Sequence, residues 1–201
     1  MTLRDVAEKW ANFLLANLLW SMFLVPIVTI PAATAGLFSV MGKRVRNKPS
    51  VIFTEFFGAM RRLWLKATII GVIDVALGGL LVLNIWIFRQ MGEDIMAMLA
   101  RSVTAFVGLV LIFTNLYVWP LLVSTELPLR DLIGTAIKLM ATHPIRSITV
   151  FIAGLSPIAV SLLLPRGVFL FVTASACAML ITMGTWPIIQ QRVSEDVLST
   201  Y

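Results

Sequence analysis

Residues 67–88 read ATIIGVIDVALGGLLVLNIWIF, twenty-two positions carrying one charged side chain, Asp74. As a helix this stretch is about 33 Å long, enough to cross a hydrocarbon core of about 30 Å. Three more runs of similar length and character follow at 103–123, 145–164 and 168–189. The 201-residue chain is 59% hydrophobic and 13% charged, where soluble domains carry about 25% charged residues. Water is the wrong solvent for so much apolar surface, so the chain reads as an all-α membrane protein. Between the runs no stretch reaches the roughly 50 residues of a separate domain. Residues 1–201 are therefore expected to form a single integral membrane domain.

Upstream, the apolar region from Ala11 to Met41 would be about 46 Å long as one helix. Pro26 and Pro31 interrupt it, and each removes a backbone donor and crowds the preceding turn. A first span over about 15–41, broken at Pro26, Thr29 and Pro31, is the expectation, with Thr29 available to satisfy the freed carbonyls. A re-entrant hairpin bending at the prolines is the competing geometry. Residues 2–14 alternate Leu3, Val6, Trp10 and Phe13 with Arg4, Asp5, Glu8 and Lys9, an interfacial amphipathic pattern.

Two further amphipathic segments lie between the runs. In 50–65, Phe53, Phe56, Phe57, Met60 and Trp64 share an apolar arc, while Arg61 and Arg62 lie on the other side. That pattern predicts a helix in the headgroup plane, aromatics inward and arginines on phosphates. In 128–142, Leu129, Leu132, Ala136, Ile137 and Met140 form the apolar face, opposite Arg130 and Lys138. These segments precede span pairs ending in Trp119-Pro120-Leu121-Leu122 and Trp186-Pro187-Ile188-Ile189. A tandem repeat of amphipathic helix plus two spans would produce that arrangement, and interfacial anchoring of Trp alone would also produce it.

The sequence carries 16 Lys and Arg against 10 Asp and Glu, a net charge of +6. The basic residues flank the apolar runs and lack the interleaved aromatics of a nucleic-acid platform, so they read as topology signals. The 43–66 segment and the 124–146 segment hold most of them, which predicts that both, with the C-terminus, face the cytoplasm. Five spans put the N-terminus outside; a re-entrant first region puts it inside. Ala33-Thr34-Ala35 imitates a signal-peptide cleavage site, but the N-terminal segment has no net positive charge, and retention is expected. Anionic lipids at the cytoplasmic face are the expected surface partners.

Asp74 is an intramembrane carboxylate and so a functional candidate by default. With Asn17, Asn84 and Asn115 it forms the set of polar groups within or beside the spans. One reading is a polar path for a proton, cation or small solute. The other is a hydrogen-bonded carboxyl that fixes helix packing against Asn84, Asn115 or Thr114. Cys177 stands alone and reads as apolar filler. The cytoplasmic segments show no nucleophile–base pair, phosphate-binding glycine loop or metal-ligand spacing, so neither an enzyme nor a cofactor is expected.

Several stretches resemble the YesL-like family of bacterial membrane proteins, a domain of unknown function. They are Asn17-Leu18-Leu19-Trp20 with Leu24 to Ala35, Phe53 to Phe57 through Arg61-Arg62 to Thr68, and Trp119 to Leu122 with Leu132 to Lys138 and His143-Pro144. The block Pro26-Ile27-Val28-Thr29-Ile30-Pro31-Ala32-Ala33-Thr34 is the most specific, with Pro31 where members often carry Gly. The resemblance implies a polytopic inner-membrane protein. Members are often encoded near polysaccharide-degradation and sugar-uptake systems, so it also implies a role in carbohydrate uptake or sensing. It supplies no catalytic residues. An accessory or scaffold component, beside sugar ABC importer subunits, is the leading expectation. A transporter or channel, built as a homo-oligomer or around the repeat, is the second. A lipid sensor using Phe53, Phe56, Phe57, Arg61 and Arg62 is the third.

Overall fold

The computed structural model describes residues 3–49, 51–90, 94–163 and 172–198, with side chains described between residues 10 and 192. Among these residues the chain is helical, without strands. The helices are α1 (Leu3–Met22), α2 (Ile30–Val45), α3 (Ile52–Gln90), α4 (Ile95–Ser124), α5 (Leu129–Thr142), α6 (Pro144–Leu163) and α7 (Ala174–Leu198).

The prolines act first. The chain leaves α1 at Met22, makes a single 3-10 turn over Ile27–Thr29, and starts α2 with Pro31 in its first turn. The Thr29 hydroxyl lies 2.7 Å from the carbonyls of both Phe23 and Pro26, serving the backbone acceptors that the break exposes. Across the break, Trp20 Nε1 donates to Thr34 Oγ1 at 3.2 Å, and the Arg44 guanidinium sits 5.4 Å above the Phe13 ring. Contacts pairing the end of α1 with the start of α2, and the middle of α1 with the end of α2, define an antiparallel hairpin. The expected single broken span over 15–41 is thus corrected: the region folds back on itself. The N-terminus of α1 consequently shares an end with the basic segment 43–48. The break that sequence alone located at Pro26, Thr29 and Pro31 is where the chain reverses.

Helix α2 is the hub. From Ala32 to Gly42 its residues are buried, apart from half-buried Thr34, and α1, α3, α4 and α7 all pack on it. Its small side chains allow that. A Cβ on Gly36 would meet the Phe56 carbonyl oxygen at 3.0 Å. At Gly71 on α3 the ring of Pro31 leaves no room for a Cβ either, at 2.5 Å.

Helix α3 corrects a second expectation. The amphipathic segment 50–65 and the span 67–88 are one uninterrupted helix, Ile52–Gln90, because Leu63-Trp64-Leu65-Lys66-Ala67 contains neither Pro nor Gly to stop it. Phe56 and Gly71 lie fifteen positions apart on α3, yet they touch Gly36 and Pro31, five apart on α2. Straight helices would make those separations about 22 Å and about 8 Å, so the two contacts draw a long stretch of α3 onto a short stretch of α2. The face it turns inward is Ile52, Phe56, Ala59, Leu63, Ala67 and Ile70, a single helical stripe.

Beyond this contact α3 and α4 continue as an antiparallel pair, and α6 and α7 form another. Val75 is 77% exposed, Phe106 67% and Leu162 80%. Side chains so apolar and so open are solvated by hydrocarbon, not water. Among the described residues three helices, α3, α4 and α6, are long and apolar enough to cross a membrane. The run expected at 168–189 falls partly outside the described residues, as do Thr2 and Ser50 at the edges of the expected interfacial helices and Leu164 at the edge of the run expected at 145–164. Pro157 inside α6 cannot donate to the Ala153 carbonyl, and the Ser156 hydroxyl does so instead at 2.7 Å. The third amphipathic segment is a helix of its own, α5, separated by His143 alone from α6, which Pro144 opens.

Candidate functional site

The polar groups placed by sequence inside the spans each find a partner on a neighbouring helix. Asn115 Nδ2 on α4 donates to Asp74 Oδ1 on α3 at 2.8 Å. About three turns outward along the same pair, Thr104 Oγ1 donates to Asn84 Oδ1 at 3.2 Å. Asn17 is fully buried on α1, and its Oδ1 accepts the Ser175 backbone N–H at 2.8 Å. Ser175 is the second residue of α7, so this bond ties α1 to α7 across the bundle. Tyr117 and Ser147 share a buried hydrogen bond of 2.9 Å between α4 and α6. The four polar candidates do not converge on one site. They are distributed as helix-to-helix clasps. Gly71, one turn before Asp74, abuts Pro31, while Gly78, one turn after it, meets open space.

The basic end carries a denser arrangement. Glu55 in the first turn of α3 accepts from Ser39 Oγ and from Lys43 Nζ on α2. Burial pushes its carboxyl up, but the Lys43 and Ser39 hydrogen bonds and the charges of Lys43 and Arg62 hold it below the ordinary glutamate value. Sequence reasoning did not single out Glu55; its only clue is an acid twelve positions after Lys43 in a segment otherwise basic. Arg46 donates through Nε to the Gly42 carbonyl at 3.0 Å, and its guanidinium lies 4.9 Å from the Trp186 ring centroid. Trp119, in the other Trp-Pro ending, stacks on Phe38 at 6.3 Å. Both Trp-Pro endings therefore address α2, and the aliphatic pairs after them are buried.

The apolar arc of 50–65 divides in two. Phe56 is buried against α2, which corrects its assignment to a lipid or partner surface; its ring is enclosed by Phe23 and Phe57. Phe53, Phe57 and Trp64 remain exposed beside it, and Arg61 and Arg62 are exposed as expected. On α5, Leu132, Ala136 and Leu139 face inward, while Arg130, Gly134, Ile137 and Lys138 face out. Ile137 was expected on the inner face; Leu139 occupies that place. Lys66 Nζ donates to the Leu127 carbonyl at 2.9 Å, tying the approach to α5 onto α3.

Against this geometry, residues 13–85 match the family model described as a protein of unknown function, DUF624, the domain found in YesL-like bacterial membrane proteins. The matched stretch runs from α1 through the hairpin and along most of α3. No match was found among curated proteins or among solved structures.

Proposed function

We propose that this chain is a non-enzymatic accessory or scaffold component of a bacterial inner membrane, with its basic end, both basic segments and the C-terminus in the cytoplasm. It serves carbohydrate uptake or sensing, with sugar ABC importer subunits as the partner. The observation that carries the reading is α5. It is an amphipathic helix between two spanning helices, seated through Leu132, Ala136 and Leu139, that presents Arg130, Ile137 and Lys138 outward. Helices of this size between spans resemble the elements through which importer permeases meet their ATPases. The carbohydrate connection comes from the resemblance to YesL-like proteins. Affinity purification of the chain from native membranes tests the assignment. Co-recovery of an importer permease or ATPase, lost on reversing charge at Arg130 and Lys138, is the expected result; recovery without any importer component refutes it.

The transporter or channel reading needs Asp74 in a polar path. Its carboxyl instead accepts a hydrogen bond from a neutral amide on the adjacent helix, which supports a packing role.

A further inference from the structure

We propose that a cavity at the junction of α2, the α2–α3 turn and the first turns of α3 binds a phosphate-bearing anion. The cavity measures about 370 Å³, at the lower end of the range for small-ligand sites. Lys43, Arg46, Lys48 and Arg62 line it, with Glu55 as the one carboxylate. Glu55 is hydrogen-bonded to Lys43 and Ser39, and four cations against this one carboxylate leave the lining with a net excess of positive charge around one small space.

The local structure builds that concentration of charge. Asn47 takes a left-handed conformation with φ of 52°, the Asn47 N–H donates to Arg44 O, and the Lys48 N–H donates to Lys43 O. This is the Schellman ending of a helix, and it folds Lys48 back over the mouth. A helix C-terminus ordinarily repels anions through its free carbonyls. Here the Gly42, Lys43 and Arg44 carbonyls are all occupied, the first by Arg46 Nε as well as by a backbone N–H. Two of the cations are arginines, whose planar forked donors match phosphate oxygens better than a point charge does. Gly58 forms an open wall, with nothing within 4 Å of where a Cβ would stand. Val123, near the end of α4, borders the cavity, so the space opens where a spanning helix leaves the hydrocarbon. A phospholipid headgroup and free phosphate both satisfy this chemistry. The site uses neither α5 nor the partner proposed above.

Melting of the purified full chain in phosphate-free detergent tests the assignment. Inorganic phosphate, short-chain phosphatidylglycerol and short-chain phosphatidylcholine are each compared with chloride at equal ionic strength. Saturating phosphatidylglycerol or phosphate should raise the midpoint by about 5 °C beyond chloride. A K48Q/R62Q double variant should lose most of that shift. Gly58→Leu, which fills the cavity and leaves every charge in place, should lose it too and stands alone if the double variant does not fold. A response to phosphatidylglycerol only assigns the site to a headgroup; a response to both assigns it to the phosphate group itself. No shift beyond chloride, a shift equally large with zwitterionic phosphatidylcholine, or a full shift in Gly58→Leu overturns the proposal.

Discussion

Gly184 on α7 is where the helix pairs of this bundle are least forgiving, and replacing it with alanine gives a worked test of the packing. The new Cβ would stand 2.3 Å from one Val150 methyl, and 3.3 Å from both the Val150 Cβ and its other methyl. Carbon atoms rest at about 3.5–4.0 Å, so the overlap exceeds about 1 Å. Rotating Val150 only exchanges one methyl for the other, because the branch point itself is close. Relief requires α6 and α7 to separate. That movement also stretches the 3.0 Å bond from Arg146 Nε to the Gly184 carbonyl. Overpacking of this kind costs about 1–3 kcal/mol, or roughly 2–12 °C in melting temperature for a chain of this size. Gly78→Ala is the control, since nothing lies within 4 Å of its Cβ position; it should leave the midpoint unchanged or raise it slightly. Thermal unfolding in detergent, followed by intrinsic tryptophan fluorescence, reads both. Val150→Ala in the Gly184→Ala background should recover most of the loss. Equal destabilisation by the two glycine variants, or no recovery with Val150→Ala, would refute the α6–α7 packing described here.

Three other expectations follow from single contacts. Asn115→Leu strands the Asp74 carboxyl between α3 and α4 and should destabilise by about 0.5–2 kcal/mol, while Asp74→Asn keeps a hydrogen-bonding partner and should be nearly neutral in the same melting assay. If solute flux in proteoliposomes is detectable and disappears with Asp74→Asn, the packing role assigned to that clasp fails. Phe56→Ala removes a fully buried ring between α2 and α3 and should cost about 3–5 kcal/mol, whereas Phe53→Ala, at a position 51% exposed, should change the midpoint little. Glu55 is held below its ordinary value of 4.5, so its charged form stabilises the fold, fully above that pH, and the contribution drains as pH falls through the lower folded-state value. The melting difference between the native chain and Glu55→Gln should therefore be largest near neutral pH and shrink in acid below 4.5.

The solvent of this protein was legible from residues 67–88 onward, because length and apolarity are one-dimensional properties. The position of the break was legible too, since proline acts on its own backbone. Its geometry was not: Pro26 and Pro31 permit a kinked span or a reversal, and Trp20–Thr34 and Phe13–Arg44, contacts between residues far apart in sequence, are what distinguish them. The amphipathic arc at 50–65 was read correctly as an arc and incorrectly as a single surface. Helical periodicity says which residues face one way; it does not say that Phe56 meets α2 while Phe53 and Trp64 beside it meet none of the neighbouring helices so closely. The polar clasps followed the same rule. Asp74, Asn84, Asn115 and Asn17 were recognisable as costly in hydrocarbon, but that Asn17 bonds to α7 across 158 positions had no signal in a single sequence.

Helix α2 explains why the family match and the structure point to the same unit. Hydropathy alone ranks α2 below α3, α4 and α6, because at 16 residues and about 24 Å it is too short to cross a bilayer core. Its composition, with Ala32, Ala33, Ala35, Gly36, Ser39 and Gly42, serves close approach on every side rather than contact with lipid. The hairpin delivers α2 into the bundle, and α3 packs along it through Phe56 and Gly71. Residues 13–85, the matched stretch, hold the described parts of α1 from Phe13, all of α2 and α3 as far as Ile85. The helices that follow add the second wall, the Trp-Pro contacts on α2 and the outward face of α5. The first 85 residues thus supply the scaffold and the anion cavity's cations, and the remainder supplies the outward face of α5 on which the proposed partner assignment rests. A chain ending after α3 would keep Lys43, Arg46, Lys48 and Arg62 but lose the Trp186 ring beneath Arg46 and the Val123 wall, so the cavity is completed only when both parts of the chain are in place.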